Sequence, residues 1–369
     1  MKLMKTTEAV GQVLCHDITQ IIPGVKKDAV FRKGHIITKE DIPVLLSVGK
    51  ETIYIWENDE TMMHENEAAE VLYRMSACGT NSNETDGERH CEAAESGVFG
   101  GTASKMHPSP VKEGKIEVIA DCDGLLKVDS EKLKKVNSFG EMMIATRHGN
   151  TTVKKGDKLA GTRIIPLVIK KDKLEAASHI CDDGPILDIK PFVVRKAAII
   201  TTGNEVFHGR IQDAFTPVIE KKIAEFGAHM MFHEVFDDDD KKITDGCLRA
   251  IEAGAEIVFC TGGMSVDPDD KTPLAIKNTG ARIVSYGSPV LPGAMFLLSY
   301  YDAGDRLVPI CGLPGCAMYN KRTIFDIVLP RLMACDMILA DELAGLGEGG
   351  LCLNCDVCTF PNCGFGKGF

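Results

Sequence analysis

Ile257-Val258-Phe259-Cys260-Thr261-Gly262-Gly263-Met264-Ser265-Val266-Asp267-Pro268-Asp269-Asp270-Lys271-Thr272-Pro273 is the stretch on which the reading of this chain turns. Its first four residues are apolar and bounded by polar groups, the pattern of a short buried strand. The strand opens into glycines, hydroxyls and carboxylates. Glycine lets backbone N–H groups approach an anion closely, because no Cβ intervenes. Asp267, Asp269 and Asp270 would repel a bare phosphate, so they make sense if a divalent cation bridges them to it. The loop predicts a phosphate-bearing ligand and a metal.

Working outward, residues from 195 onward repeat strand, loop and helix. Strands are expected at 197–201, 229–236, 257–261, 281–286 and 307–311, and helices at 213–226 and 241–253. The helix at 213–226 places Phe215, Val218, Ile219, Ile223 and Phe226 on one face. Such alternation predicts an α/β fold: a mostly parallel sheet with helices on both faces. Ligands in such folds sit beyond the carboxyl ends of the strands. Four loops should meet there: Thr202-Gly203-Asn204-Glu205, Asp237-Asp238-Asp239-Asp240, the loop 261–273, and Gly312-Leu313-Pro314-Gly315-Cys316. Each alone is an ordinary turn or helix cap. Together, after four strands of one sheet, they predict a site.

The front of the chain differs. Residues 1–60 read as a small α+β region, with a helical stretch over 40–49 closed by Gly49 and a strand at 52–56. Residues 61–190 read as a strand-rich domain. It begins with a helix over 66–75 and has strands at 115–120, 125–128 and 163–169. A polar stretch near 77–110, poor in large apolar groups, reads as mobile or irregular. Residues 191–345 form the α/β domain, and 346–369 a cysteine-rich tail.

Composition narrows the class. The net charge of −11 argues against a nucleic-acid polymer or a membrane surface as partner, so an anionic ligand must be held by local donors. No run approaches the roughly 20 apolar residues of a membrane span. The first residues lack a signal-peptide core, so the expected location is cytoplasmic. Fourteen cysteines in a reducing compartment are not expected to form a disulfide framework.

Residues 195–335 resemble the molybdopterin-binding domain shared by molybdopterin adenylyltransferases and molybdopterin molybdotransferases. The resemblance is carried by Thr202-Gly203-Asn204-Glu205, by Thr261-Gly262-Gly263-Met264-Ser265-Val266 with Asp270, and by Gly312-Leu313-Pro314-Gly315. It implies that Thr202, Gly203, Asn204, Glu205, Thr261, Gly262, Gly263, Ser265, Gly312, Pro314 and Gly315 bind molybdopterin. It implies catalytic roles for Asp270 and for Asp237 or Asp238, with Mg²⁺. The implied reaction is insertion of molybdate into adenylated molybdopterin, by a homodimer. Adenylylation of molybdopterin by ATP, and a non-catalytic pterin carrier or sensor, stay open. The chain departs from the insertase pattern at Asn204, Asp267 and Cys316. The front half also lacks the Pro-Pro-Phe-Asp-Asn-Ser-Ala-Met-Asp-Gly-Tyr-Ala-like segment of those enzymes.

The tail carries Cys352, Cys355, Cys358 and Cys363, spaced closely enough for four thiolates to wrap an iron–sulfur cluster or a zinc ion. A flexible thiol-rich tail is the alternative. The glycine run at 345–350 before it reads as a linker.

Overall fold

The computed structural model describes residues 2–22, 26–55, 59–78, 105–265, 267 and 270–368. Trp56, Val266, Pro268, Asp269 and most of the polar stretch 77–110 lie outside the described residues. The chain divides into two compact units. The first holds Met1–Cys122, Val128–Arg147 and Lys155–Asp188, and the second holds Asp123–Lys127, His148–Lys154 and Ile189–Phe369.

In the first unit, Lys2–Lys5 pairs antiparallel with Thr52–Ile55, and Ile18–Ile22 with Lys26–Phe31. Helix Asp41–Ser47 contributes Leu45 to a small core with Ala9, Leu14, Ile18, Ile37, Ile53 and Ile55. A second part is an antiparallel sheet ordered Met106–Pro108, Lys115–Ala120, Lys158–Ile164 and Met142–Thr146. Ile116, Val118 and Ala120 are buried in alternation, which is how one face of a sheet meets a helix. Helix Glu65–Ala77 supplies the partner face through Ala68, Ala69, Leu72 and Met75. The single strand expected at 163–169 is two, Lys158–Ile164 and Val168–Lys170, with the chain bending at 165–167.

The second unit is built on six strands: β1 Lys196–Thr202, β2 His229–Phe236, β3 Ile257–Thr261, β4 Arg282–Tyr286, β5 Leu297–Asp302 and β6 Leu307–Leu313. Their order is β2-β1-β3-β6-β5-β4. β2, β1, β3 and β6 run parallel; β5 is antiparallel to both its neighbours, which turns β4 back into the direction of β6. β3 is buried along its whole length, as a central parallel strand must be. Alternate residues of β1 feed two cores: Ala197 and Ile199 one, Ala198 and Ile200 the other. Helices α1 Thr216–Ala224 and α4 Ile324–Met333 close the first core with Ile219, Ile223, Phe325 and Leu329. Helices α2 Asp240–Glu252 and α3 Thr272–Asn278 close the second with Ile243, Cys247, Ala275 and Ile276. Helices therefore cover both faces, as expected. α1 starts three residues late because Asp213 stays outside and accepts the N–H groups of Phe215 and Thr216.

The tail corrects one expectation. The glycine run is no linker: it is packed into the second unit. Gly350 O accepts from Leu291 N–H at 2.8 Å, and Cys352 N–H donates to Leu291 O at 2.8 Å. A Cβ on Gly350 would sit 2.3 Å from Pro289 O, and one on Gly368 2.1 Å from Gly345 O. Phe365 is buried beyond it. Among the described residues no helix is long and apolar enough to cross a membrane.

Candidate functional site

The strand directions send the loops after β1, β2, β3 and β6 to one edge of the sheet. The chain leaves β1 toward β2 on one side and leaves β3 toward the β4–β6 side. The gap between β1 and β3 is thus a topological switch point, where such sheets open a crevice. Gly262 and Gly263 lie there with φ of 81° and 53°. A Cβ on Gly262 would stand 2.1 Å from Thr202 O, and one on Gly263 2.8 Å from Thr272 Oγ1. Left-handed backbone and lack of room both require glycine. Beneath them Thr202 Oγ1 donates to Thr261 O at 3.1 Å and lies 3.0 Å from Thr272 Oγ1.

The loop then runs across the ends of the next strands. Met264 is buried, with its sulfur where a Cβ on Gly312 would fall. Gly312, expected among the ligand-binding residues, is thus a glycine because Met264 fills its place. Met264 O accepts a hydrogen bond from Tyr286 Oη at 3.3 Å. Asp270 closes the loop by accepting the Ser265 N–H at 2.7 Å.

The acids separate by partner. Asp239 caps α2, accepting the N–H groups of Lys241 and Lys242. Asp237 is paired with Lys242 Nζ at 2.8 Å. Asp238 instead turns toward β1 and accepts the Asn204 N–H at 3.2 Å. Burial, with Glu205, Asp270 and Asp237 nearby, holds the Asp238 carboxyl above its usual range despite that hydrogen bond. The structure therefore distinguishes the two acids the sequence left equivalent. Glu205 and Asn204 are exposed, Pro314 is buried, and Gly315 is exposed at the start of the short helical turn Gly315–Ala317.

A family model described as a probable molybdopterin binding domain matches residues 198–334. The chain is 26% identical over 131 residues to the molybdopterin adenylyltransferase of Pyrococcus furiosus, covering 32% of this chain and 77% of that one. It is 29% identical over 90 residues to a protein of Bacillus velezensis provisionally named competence-damage inducible, covering 24% of this chain. The chain spans about a fifth of that relative's length, 21%. The tungsten cofactor synthesizing protein MoaB from Pyrococcus furiosus aligns over 38% of this chain and 88% of its own, at 18% identity and TM-score 0.30. Residues 3–57 match a family described as a domain of unknown function.

No three His, Cys, Asp or Glu side chains among the described residues are gathered so as to hold a metal ion by themselves. Mg²⁺ commonly uses one or two carboxylates and completes its shell with phosphate and water. Asp238, on which Glu205 and Asp270 act electrostatically, has the chemistry for such a shared ion. Thr261 Oγ1, buried at the base of the loop, has no hydrogen-bond partner among the described residues.

The four tail thiols are not brought together in this arrangement. Cys352 and Cys363 pack against the first core beside Phe360, whereas Cys355 and Cys358 are exposed. The Phe360 N–H, with Arg322 and Lys321 also near, holds the Cys358 thiol below its usual range.

The sequence reading missed Tyr286, Thr272 and Lys242. Thr272 stood in the quoted loop, but its role exists only through contact with Thr202. Tyr286 carried no local signal, since it ends an ordinary strand.

Proposed function

We propose that the second unit binds molybdopterin through its phosphate and that the chain inserts molybdate into adenylated molybdopterin, releasing AMP. One observation supports this most: a glycine turn and three neighbouring acids, from three separate strands, share one sheet edge. The turn offers backbone donors to phosphate oxygens. Asp238, with one of its neighbouring carboxylates, Asp270 or Glu205, would hold Mg²⁺, and the phosphate and water would complete its shell. The ion, when bound, neutralises the anions that must meet and polarises the phosphoanhydride. Asp270 keeps the turn closed through Ser265 N–H, so the donors are set before the ligand arrives.

A second reading, adenylyl transfer from ATP to molybdopterin, is favoured by the similarity to the archaeal adenylyltransferase, most of whose length is covered. The deciding experiment supplies each substrate pair with Mg²⁺. AMP release from adenylated molybdopterin and molybdate supports insertion. Pyrophosphate release from ATP and molybdopterin supports adenylylation. Tight molybdopterin binding with neither product would reduce the role to a carrier.

A further inference from the structure

Tyr286 is an unexplained feature of this edge. It ends β4, two strands beyond β6, in a part of the sheet the loop sequences did not implicate. Yet β4 runs in the direction of β6, so its last residue emerges on the same side as the glycine turn. The loop after β3 reaches it: Met264 crosses above Gly312 and packs on Leu297, and Met264 O takes the Tyr286 hydroxyl. Asp270 is close enough to act on that hydroxyl electrostatically, burial being the larger influence. The residue as a whole remains 47% exposed.

An aromatic ring tethered at its hydroxyl has lost much of its freedom, so covering a flat ligand costs it little further ordering. In the proposed function, the glycine turn and the acids fix one end of a ligand. Among the described residues of that polar floor, none offers a flat apolar face to a planar heteroaromatic system.

We propose that Tyr286 is the stacking wall of the site: its hydroxyl steadies Met264, and its ring covers one face of the pterin whose phosphate the glycine turn holds. This rests on the molybdopterin reading and deepens it by assigning ring recognition to a residue outside the glycine and acid loops. A stacked heteroaromatic is worth about tenfold in affinity, judged from aromatic pairs and from bases on aromatic side chains.

The test compares wild type, Tyr286→Phe and Tyr286→Leu in the full chain, using two probes: molybdopterin and inorganic pyrophosphate, both with Mg²⁺. Thermal melting of each variant accompanies the titrations. The expected result is that Tyr286→Phe binds molybdopterin within about threefold of wild type, while Tyr286→Leu binds it about tenfold more weakly. Pyrophosphate, which has no ring, should bind all three alike. Unchanged molybdopterin binding by Tyr286→Leu overturns the assignment. Equal losses for both probes also overturn it, since the tyrosine would then only brace the loop. Wild type that fails to bind molybdopterin removes the underlying reading, and that failure is visible before any variant is made.

Discussion

Two half-buried or buried aspartates in the second unit sit in opposite electrical surroundings. Asp336 is buried and receives Lys127 at 2.8 Å, Lys190 at 2.6 Å and Arg331 at 2.6 Å. Burial alone would raise its pKa; the hydrogen bonds from Lys127 and Lys190, with Arg331, bring it instead to about 2. Asp238 is held above its usual range by burial first and then by the charges of Glu205, Asp270 and Asp237. An acid ringed by cations is complete and belongs to the fold. An acid among other acids gains when a cation arrives, and perturbed carboxyls of this kind are candidates for functional sites.

The largest expected effect tests the first half of that contrast. Asp336→Ala leaves three cations facing a buried gap, and breaking a buried pair of this kind costs about 3–5 kcal/mol. Urea denaturation at neutral pH should show that loss. The sign of the pH dependence follows from the depressed folded pKa. The carboxylate's contribution is fully present above the unfolded value near 3.8 and is lost as pH falls toward about 2. It amounts to about 2 kcal/mol by linkage. A wild-type stability curve that is flat across that window in comparison with Asp336→Ala would sink the assignment.

Asp238→Asn tests the second half. Here the folded pKa is raised, so the charged acid weakens the folded state once pH exceeds the unfolded pKa. The amide should leave stability unchanged or slightly higher. Ligand binding or turnover with Mg²⁺ should fall about 100-fold, the loss typical of one electrostatic group in a preorganised site. Mg²⁺ should raise the melting temperature of wild type and not of the variant. If both proteins respond alike to Mg²⁺, the ion binds elsewhere.

How much of this was readable follows the same line. The strands were legible because β1 and β3 are continuous apolar runs, and the four loops because glycine and acid cluster after them. What the residues could not disclose was contact. Asp237 and Asp238 are equivalent in the sequence, and only the reach of Lys242 to one and of Asn204 N–H to the other separates them. Glycine was ambiguous in the same way. Gly262 and Gly350 both mark a backbone too close for a Cβ, the first at Thr202 O and the second at Pro289 O. One lies in the turn that leaves β3 and the other in a docked tail, so the run at 345–350 read as a linker. The antiparallel β5, and with it the direction of β4, also went unread, which hid Tyr286.

That ambiguity sets a third, smaller test. Gly350→Ala should force the tail off Pro289 and cost about 1–3 kcal/mol, the range for overpacking. It should leave molybdopterin binding intact, since the tail anchors at Leu291 and not at the glycine turn. Faster alkylation of Cys352 and Cys363, followed by mass spectrometry, would report the detachment. A variant that kept its tail protected but lost the ligand would mean the two glycine stretches are one structural unit.

The smallest effect is expected at Asp237, and it is the sharpest control on the opening contrast. Asp237 lies one residue from Asp238 and carries the same charge, but Lys242 already balances it at 2.8 Å. That pair is exposed on the lysine side, and exposed pairs contribute about 0–1 kcal/mol. Asp237→Asn should therefore change stability by less than about 1 kcal/mol, and it should change Mg²⁺-dependent binding by less than about threefold, which is within the same energy. Removing a negative charge beside Asp238 should also relax its pKa slightly downward, toward the ordinary carboxylate value. If Asp237→Asn instead matched the loss in Asp238→Asn, the ion would be held by the acidic run as a whole. The partner of each acid would then no longer distinguish fold from function at this edge.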